Sequence, residues 1–82
     1  MLMFFYTYIL YSAIKDKFYI GQTADLDRRL SQHNATKNLG ASDWSIVYTK
    51  QFQNRSDAVM HEKEIKNKKS RKYIEWLITQ VG

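Results

Sequence analysis

No cysteine occurs in the chain, so disulfide cross-links and thiolate metal sites are both excluded. A reducing, cytoplasmic location is the compartment this usage fits. Proline is absent too, and no repeat, low-complexity tract or linker-like stretch interrupts the sequence, so residues 1–82 are expected to form a single domain. No apolar run is long enough to cross a bilayer. The most apolar stretch, residues 1–10, contains Tyr6, Thr7 and Tyr8, lacks a preceding basic residue and is followed by no small-residue cleavage site. It reads as a buried strand, and no membrane association is expected.

Acidic residues are in deficit, eight against thirteen basic, for a net charge of +5. Such an excess favours a polyanionic partner, most often nucleic acid, through phosphate contacts and counterion release. Lys66, Lys68, Lys69, Arg71 and Lys72 crowd one short segment as a candidate nucleic-acid-binding patch. A solvated junction between helices explains the same cluster equally well. The apolar share is ample for a chain this short: 44% of residues are hydrophobic and 15% aromatic, and large rings bury much surface each.

Residues 4–11 alternate as a strand, with Phe4, Tyr6, Tyr8 and Leu10 on one face. Residues 12–16 make a turn and residues 17–21 return, so a short antiparallel hairpin is expected, with Tyr8 and Tyr19 on adjacent strands. Thr23 is the expected N-cap of a first helix, with Asp25 and Asp27 in its first turn and Leu26 and Leu30 on its buried stripe. The helix is expected to reach Asn34, followed by a polar loop over residues 35–43. Residues 44–52 read as a third strand, with Ile46, Tyr48 and Lys50 opposite Val47, Thr49 and Gln51. Asn54 or Ser56 caps a second helix ending near Lys68, and Ser70 caps a third with the stripe Ile74, Leu77, Ile78 and Val81. The fold class is α+β: a small three-stranded antiparallel sheet flanked by about three helices in the order β-β-α-β-α-α.

Several residues are candidates for chemistry. Glu62 shares a helical stripe with Ala58 and Ile65, which aims a carboxylate at the sheet. Burying it demands a basic side chain, several donors or a metal ion. On pattern alone a salt bridge to Arg29 or to a lysine is the favoured explanation. Arg29 and His33 are an i, i+4 pair beside the Leu26–Leu30 stripe. Arg29 could fork onto a phosphate, and His33 could move a proton near neutral pH. Taken alone, a surface arginine and a helix-end histidine account for them. Tyr8 and Tyr19 are equally explained as strand aromatics in a chain that also carries Tyr6, Tyr11, Tyr48 and Tyr73.

Together, these segments resemble the GIY-YIG nuclease family, over nearly the whole chain. Tyr6-Thr7-Tyr8 stands where the family has Gly-Ile-Tyr, and Tyr19-Ile20-Gly21 matches Tyr-Ile-Gly directly. Arg29 follows Tyr19 at the family's spacing, His33 fits a histidine carried by several branches, and Glu62 falls on the metal-binding glutamate of the second-helix signature. The likeness is to small free-standing domains similar to the N-terminal nuclease module of the UvrC excinuclease, which points toward DNA repair. Two departures are visible. Tyr6-Thr7 replaces Gly-Ile, and residues 35–43 lack an arginine and a proline expected in close relatives.

The resemblance implies a metal-dependent endonuclease that hydrolyses phosphodiester bonds, with DNA the expected substrate. It assigns catalysis to Tyr8, Tyr19, Arg29, His33 and Glu62, with one Mg²⁺ or Mn²⁺ held by Glu62, waters and a phosphate oxygen. Tyr19 would act as general base, with Tyr8 or His33 relaying the proton. A free tyrosine titrates near ~10, so that role needs a depressed pKa or an acceptor behind it. The alternatives are a non-catalytic nucleic-acid-binding module and, less favoured, a protein-interaction module with a basic face. A partner protein that supplies specificity is compatible with the enzyme.

Overall fold

Thr7, Tyr8, Ile9 and Leu10 are consecutive and all buried in the computed structural model, which describes residues 3–80. A strand with both faces covered must be central. β1 (Phe5–Ser12) accordingly lies between β2 (Lys17–Thr23) and β3 (Ser45–Phe52), antiparallel to both. The helices are α1 (Leu26–Ala35), α2 (Arg55–Lys68) and α3 (Arg71–Thr79), which completes the expected β-β-α-β-α-α order. No helix among the described residues is long and apolar enough to cross a membrane.

The alternation of β1 sends its side chains into two cores. Tyr8 and Leu10 pack with Ala41 and Trp44 under Leu26 and Leu30 of α1. Ile9 packs on the opposite face with Ile65 of α2 and Leu77 of α3, joined by Phe18, Ile20, Tyr73 and Ile74. Ile78 is half-buried, and Val81 lies outside the described residues. Thr7 is fully buried on the α2 side, where its hydroxyl donates to the Ala58 carbonyl at 2.7 Å. That bond pins the second helix to the central strand.

Four local expectations need correction. β2 runs on to Thr23, which pairs with Tyr6, so Thr23 is a strand residue and not the cap. Asp25 caps α1 instead, accepting from the Arg28 amide at 3.1 Å. The polar loop holds a single 3₁₀ turn, Asn38–Gly40, with Lys37 and Leu39 in the left-handed region. β3 does not keep simple alternation, because a bulge shifts its register: Ile9 pairs with Tyr48 but Leu10 pairs with Ile46. Ile46 therefore faces the Trp44 core, while Val47 and Tyr48 both pack on the Ile9 side. The caps of the other helices are Asn54, accepting from the Asp57 amide, and Ser70, accepting from the Tyr73 amide.

Candidate active site

Tyr8 and Gly21 are cross-strand partners in the hairpin. The Tyr8 hydroxyl lies over Gly21, where an added Cβ would sit 2.5 Å from its oxygen. The missing side chain lets the phenol extend to β2, an outer strand of the sheet. Tyr19 stacks beside it at 6.5 Å between ring centroids, on the same face.

α1 brings His33 onto this pair. Its ring meets Tyr19 edge-on at 4.5 Å, and Nε2 lies 3.3 Å from the Tyr8 oxygen, a long hydrogen bond. His33 is only 8% exposed although it sits in the last turn of a polar helix. Its second nitrogen is also fixed, because Asn38 Nδ2 lies 2.8 Å from Nδ1. With Asn38 presenting its NH₂, Nδ1 must accept, and the proton of a neutral His33 resides on Nε2. Nε2–H then donates to Tyr8 and leaves the phenolic proton free to point elsewhere.

The 3₁₀ turn that carries Asn38 is itself anchored. Asn34 donates to the Trp44 carbonyl at 3.1 Å and accepts from the Trp44 amide at 2.8 Å. The Trp44 indole N–H donates to the Asn38 carbonyl at 3.0 Å. Sequence reasoning missed Asn34, Asn38 and Trp44 as supports of the site. A tryptophan and two asparagines around a polar loop were the only available signal.

Charges reach Tyr8 from two helices. Burial pushes its pKa up to about 12; Arg29 opposes the rise, while Tyr19 and Glu62 add to it. His33 is held below the ordinary histidine value, first by burial and then by Arg29. Near neutral pH the site therefore presents a protonated phenol, a neutral imidazole and a cation. Arg29 is exposed and lines the same concavity as His33, Gln32, Thr36 and Asn38.

Glu62 lies one turn beyond buried Ala58 on α2, and its side chain is 18% exposed. The Lys66 ammonium sits 2.6 Å from its Oε2, so a lysine, not Arg29, takes the ion-pair position. Glu64, on the same helix, is exposed. No group of three or more His, Cys, Asp or Glu side chains with metal-binding placement occurs among the described residues.

The basic segment is partly engaged within the fold. Arg71 pairs with Asp16 at 2.5 Å and with Glu75 at 3.5 Å, and Lys68 lies 5.4 Å over the Tyr73 ring. Lys69 is the left-handed C-cap of α2, and Lys72 is exposed. The structure thus brings Tyr8, Tyr19, Arg29 and His33 together, with Glu62 within electrostatic range. Four of the five basic residues stand apart from them, and Lys66 reaches the cluster through Glu62.

Comparison with known proteins bears on the family and the fold. A family model described as the GIY-YIG catalytic domain matches residues 4–74. The chain is 32% identical over 66 residues to a UPF0213 protein of Natronomonas pharaonis, covering 76% of each chain. The solution NMR structure of a UPF0213 protein from Bacillus halodurans matches with a TM-score of 0.63 at 32% identity, covering 98% of this chain and 87% of that one.

Proposed function

The chain belongs to the GIY-YIG family, and from that premise we propose that it is a metal-dependent endonuclease hydrolysing phosphodiester bonds, with DNA as substrate. The observation that supports this most strongly is the Tyr8 hydroxyl, hydrogen-bonded by an imidazole of fixed tautomer and lying in the fields of both Arg29 and Glu62. A group perturbed by burial together with named charged neighbours is a functional-site candidate.

The donor set fits a divalent ion shared with substrate better than a permanent metal cage. A hard ion such as Mg²⁺ or Mn²⁺ keeps several waters and takes one or two carboxylates plus phosphate oxygens, so one glutamate suffices. Glu62 would hold it, and already attracts a cation in Lys66. Bound there, the ion supplies neutralisation of charge on the phosphate and the leaving 3′ oxygen.

The other roles belong to the chain. Arg29 grips the phosphate and spreads over its negative charge. Tyr8 keeps its proton and donates it in a hydrogen bond to a phosphate oxygen, oriented by His33 Nε2–H. Tyr19 takes the proton of the attacking water as its own phenolic proton passes to solvent, Tyr8 and His33 keeping theirs, and the leaving 3′ oxygen takes up a proton from solvent. Water attacks the phosphorus in line as the P–O3′ bond breaks. Lys68, Lys69 and Lys72 contribute a positive field that draws the polyanion in.

The test is incubation of the protein, Glu62→Ala and Tyr19→Phe with labelled duplex, single-stranded and branched DNA and with RNA, in Mg²⁺, Mn²⁺ or chelator. Metal-dependent cutting by wild type that disappears in Glu62→Ala is expected. Equal cutting by Glu62→Ala sinks this site. The second reading, a non-catalytic nucleic-acid-binding module, draws on the Lys66 ammonium already seated on Glu62. Binding without cutting under every condition would select it.

A further inference from the structure

α1 and α2 approach the end of β2 from opposite faces of the sheet, and their first turns enclose a concavity of about 410 Å³. Arg28, Arg29 and Gln32 of α1 line it together with Arg55 of α2. Arg29 and Gln32 also line the adjoining concavity of about 360 Å³ that holds His33 and Asn38. The two hollows share a wall, Arg29 and Gln32, with His33 and Asn38 on one side of it and Arg28 and Arg55 on the other.

We propose that Arg28 and Arg55 form a second phosphate subsite, which holds the nucleic-acid backbone next to the phosphate bound at Arg29. The inference rests on the nuclease reading for the direction of the track, and on the hollow itself for its chemistry. Among the described residues none of Arg28, Arg29 and Arg55 makes an ion pair, whereas Arg71 and Lys66 do. Three arginines in one hollow repel each other unless an anion joins them.

Arg55 is oriented for that task. Its Nη1 donates to Gln22 Oε1 at 2.8 Å, and its guanidinium lies 4.7 Å over the Phe5 ring. These contacts fix the plane of the guanidinium fork before any ligand arrives, so less side-chain freedom is lost on binding. The one carboxylate lining the hollow, Asp25, is engaged in capping α1 through the Arg28 amide. A doubly oxygenated, monoanionic group suits paired guanidinium forks, and a nucleic-acid backbone supplies one in each successive phosphodiester, so adjoining hollows can each take one.

The experiment measures binding in chelator, so that cutting cannot intervene. Fluorescence anisotropy of labelled duplex and single-stranded DNA would be recorded over a salt series for wild type, Arg28→Gln, Arg55→Gln and the pair Lys68→Gln with Lys72→Gln. Each arginine variant is expected to weaken binding about tenfold at moderate salt and to lower the log–log salt slope by about 1. The lysine pair should retain more affinity than the two arginine variants combined. Arg28 is exposed, so Arg28→Gln keeps the test clean if loss of the Phe5 stack unsettles Arg55→Gln. Wild-type affinity and slope in a folded Arg28→Gln, with the loss carried by the lysine pair, would overturn the subsite. Cutting by wild type with unchanged slopes overturns the subsite and leaves the nuclease standing. Binding through the arginines without any cutting does the reverse, and absence of all binding removes both.

Discussion

The Tyr8 hydroxyl occupies the space that a side chain at Gly21 would fill, with only 2.5 Å between its oxygen and an added Cβ. Gly21→Ala must therefore displace the phenol or part the hairpin. Small-to-large changes at packed sites cost ~1–3 kcal/mol. The expected result is a folded protein with a lower melting temperature, no His33–Tyr8 contact and little cleavage. Crystallography or aromatic NMR of the variant, beside cleavage assays, checks it. Full activity with an unmoved Tyr8 would show that the glycine is incidental.

The hairpin was legible in sequence because its information is local. Tyr8 and Tyr19 fall on one face by alternation and a short turn, and Asn54 and Ser70 announce their helices through the first-turn amides they accept from. Thr23 and Asp25 can both cap a helix, and only the Tyr6–Thr23 pairing decides which of them is still strand. The bulge opposite Ile9 and Leu10 has no glycine or proline to mark it. Asn38 reaches His33 through a turn whose left-handed residues are lysine and leucine, so composition gave no warning. Arg55 joins Arg28 only because two helices from distant parts of the chain begin side by side.

Asn38 sets the His33 tautomer, and the carboxylate of Asn38→Asp can only accept. Nδ1 must then carry a proton, and Nε2 of a neutral ring turns from donor to acceptor. The nearby negative charge also raises the His33 pKa from its lowered value. Nitrogen NMR shifts of the imidazole should show the exchange of protonated and bare nitrogens. Because Tyr8 would now donate to Nε2 rather than to phosphate, cleavage is expected to fall by about a hundredfold, the low end of the range for losing one transition-state hydrogen-bond donor. Unchanged imidazole shifts would mean that Asn38 does not govern the ring.

Both histidines are held below their ordinary value by burial, His33 with help from Arg29 and His61 with help from Lys50. The unfolded chain takes up protons near pH ~6.5, before the native state does, so stability is lost as pH falls from that value. The loss levels off once the native histidines titrate as well. Urea unfolding from about pH 7.5 to about pH 5 should show the midpoint falling across this window. Replacing His33 and His61 with glutamine should flatten the profile, and a profile unchanged by both substitutions would assign the acid sensitivity to other groups.

Thr7→Val keeps the volume of a fully buried side chain and deletes its donor to the Ala58 carbonyl. An oxygen left without this partner inside the fold costs ~1–3 kcal/mol. Denaturant unfolding should read that loss. Since the bond ties α2 to β1, hydrogen exchange is expected to quicken along α2, around Glu62, before it does in α1. Uniform exchange throughout the molecule would place the anchor elsewhere.

On the proposed function a divalent ion would compete with Lys66 for one carboxylate, because the ammonium lies 2.6 Å from Glu62 Oε2. The lysine side chain is 51% exposed, and pairs of this kind hold only ~0–1 kcal/mol. Lys66→Ala should therefore raise Mn²⁺ affinity by no more than about fivefold, measured by electron paramagnetic resonance with the protein alone. Cleavage at limiting metal is expected to rise in the same proportion and to match wild type at saturation. Glu62→Ala should abolish the ion's binding whether or not Lys66 is present. If Lys66→Ala leaves Mn²⁺ affinity unchanged while Glu62→Ala lowers it, the pair is broken in solution and Lys66 belongs wholly to the surrounding positive field. If neither variant alters Mn²⁺ binding, the carboxylate is not where the metal resides.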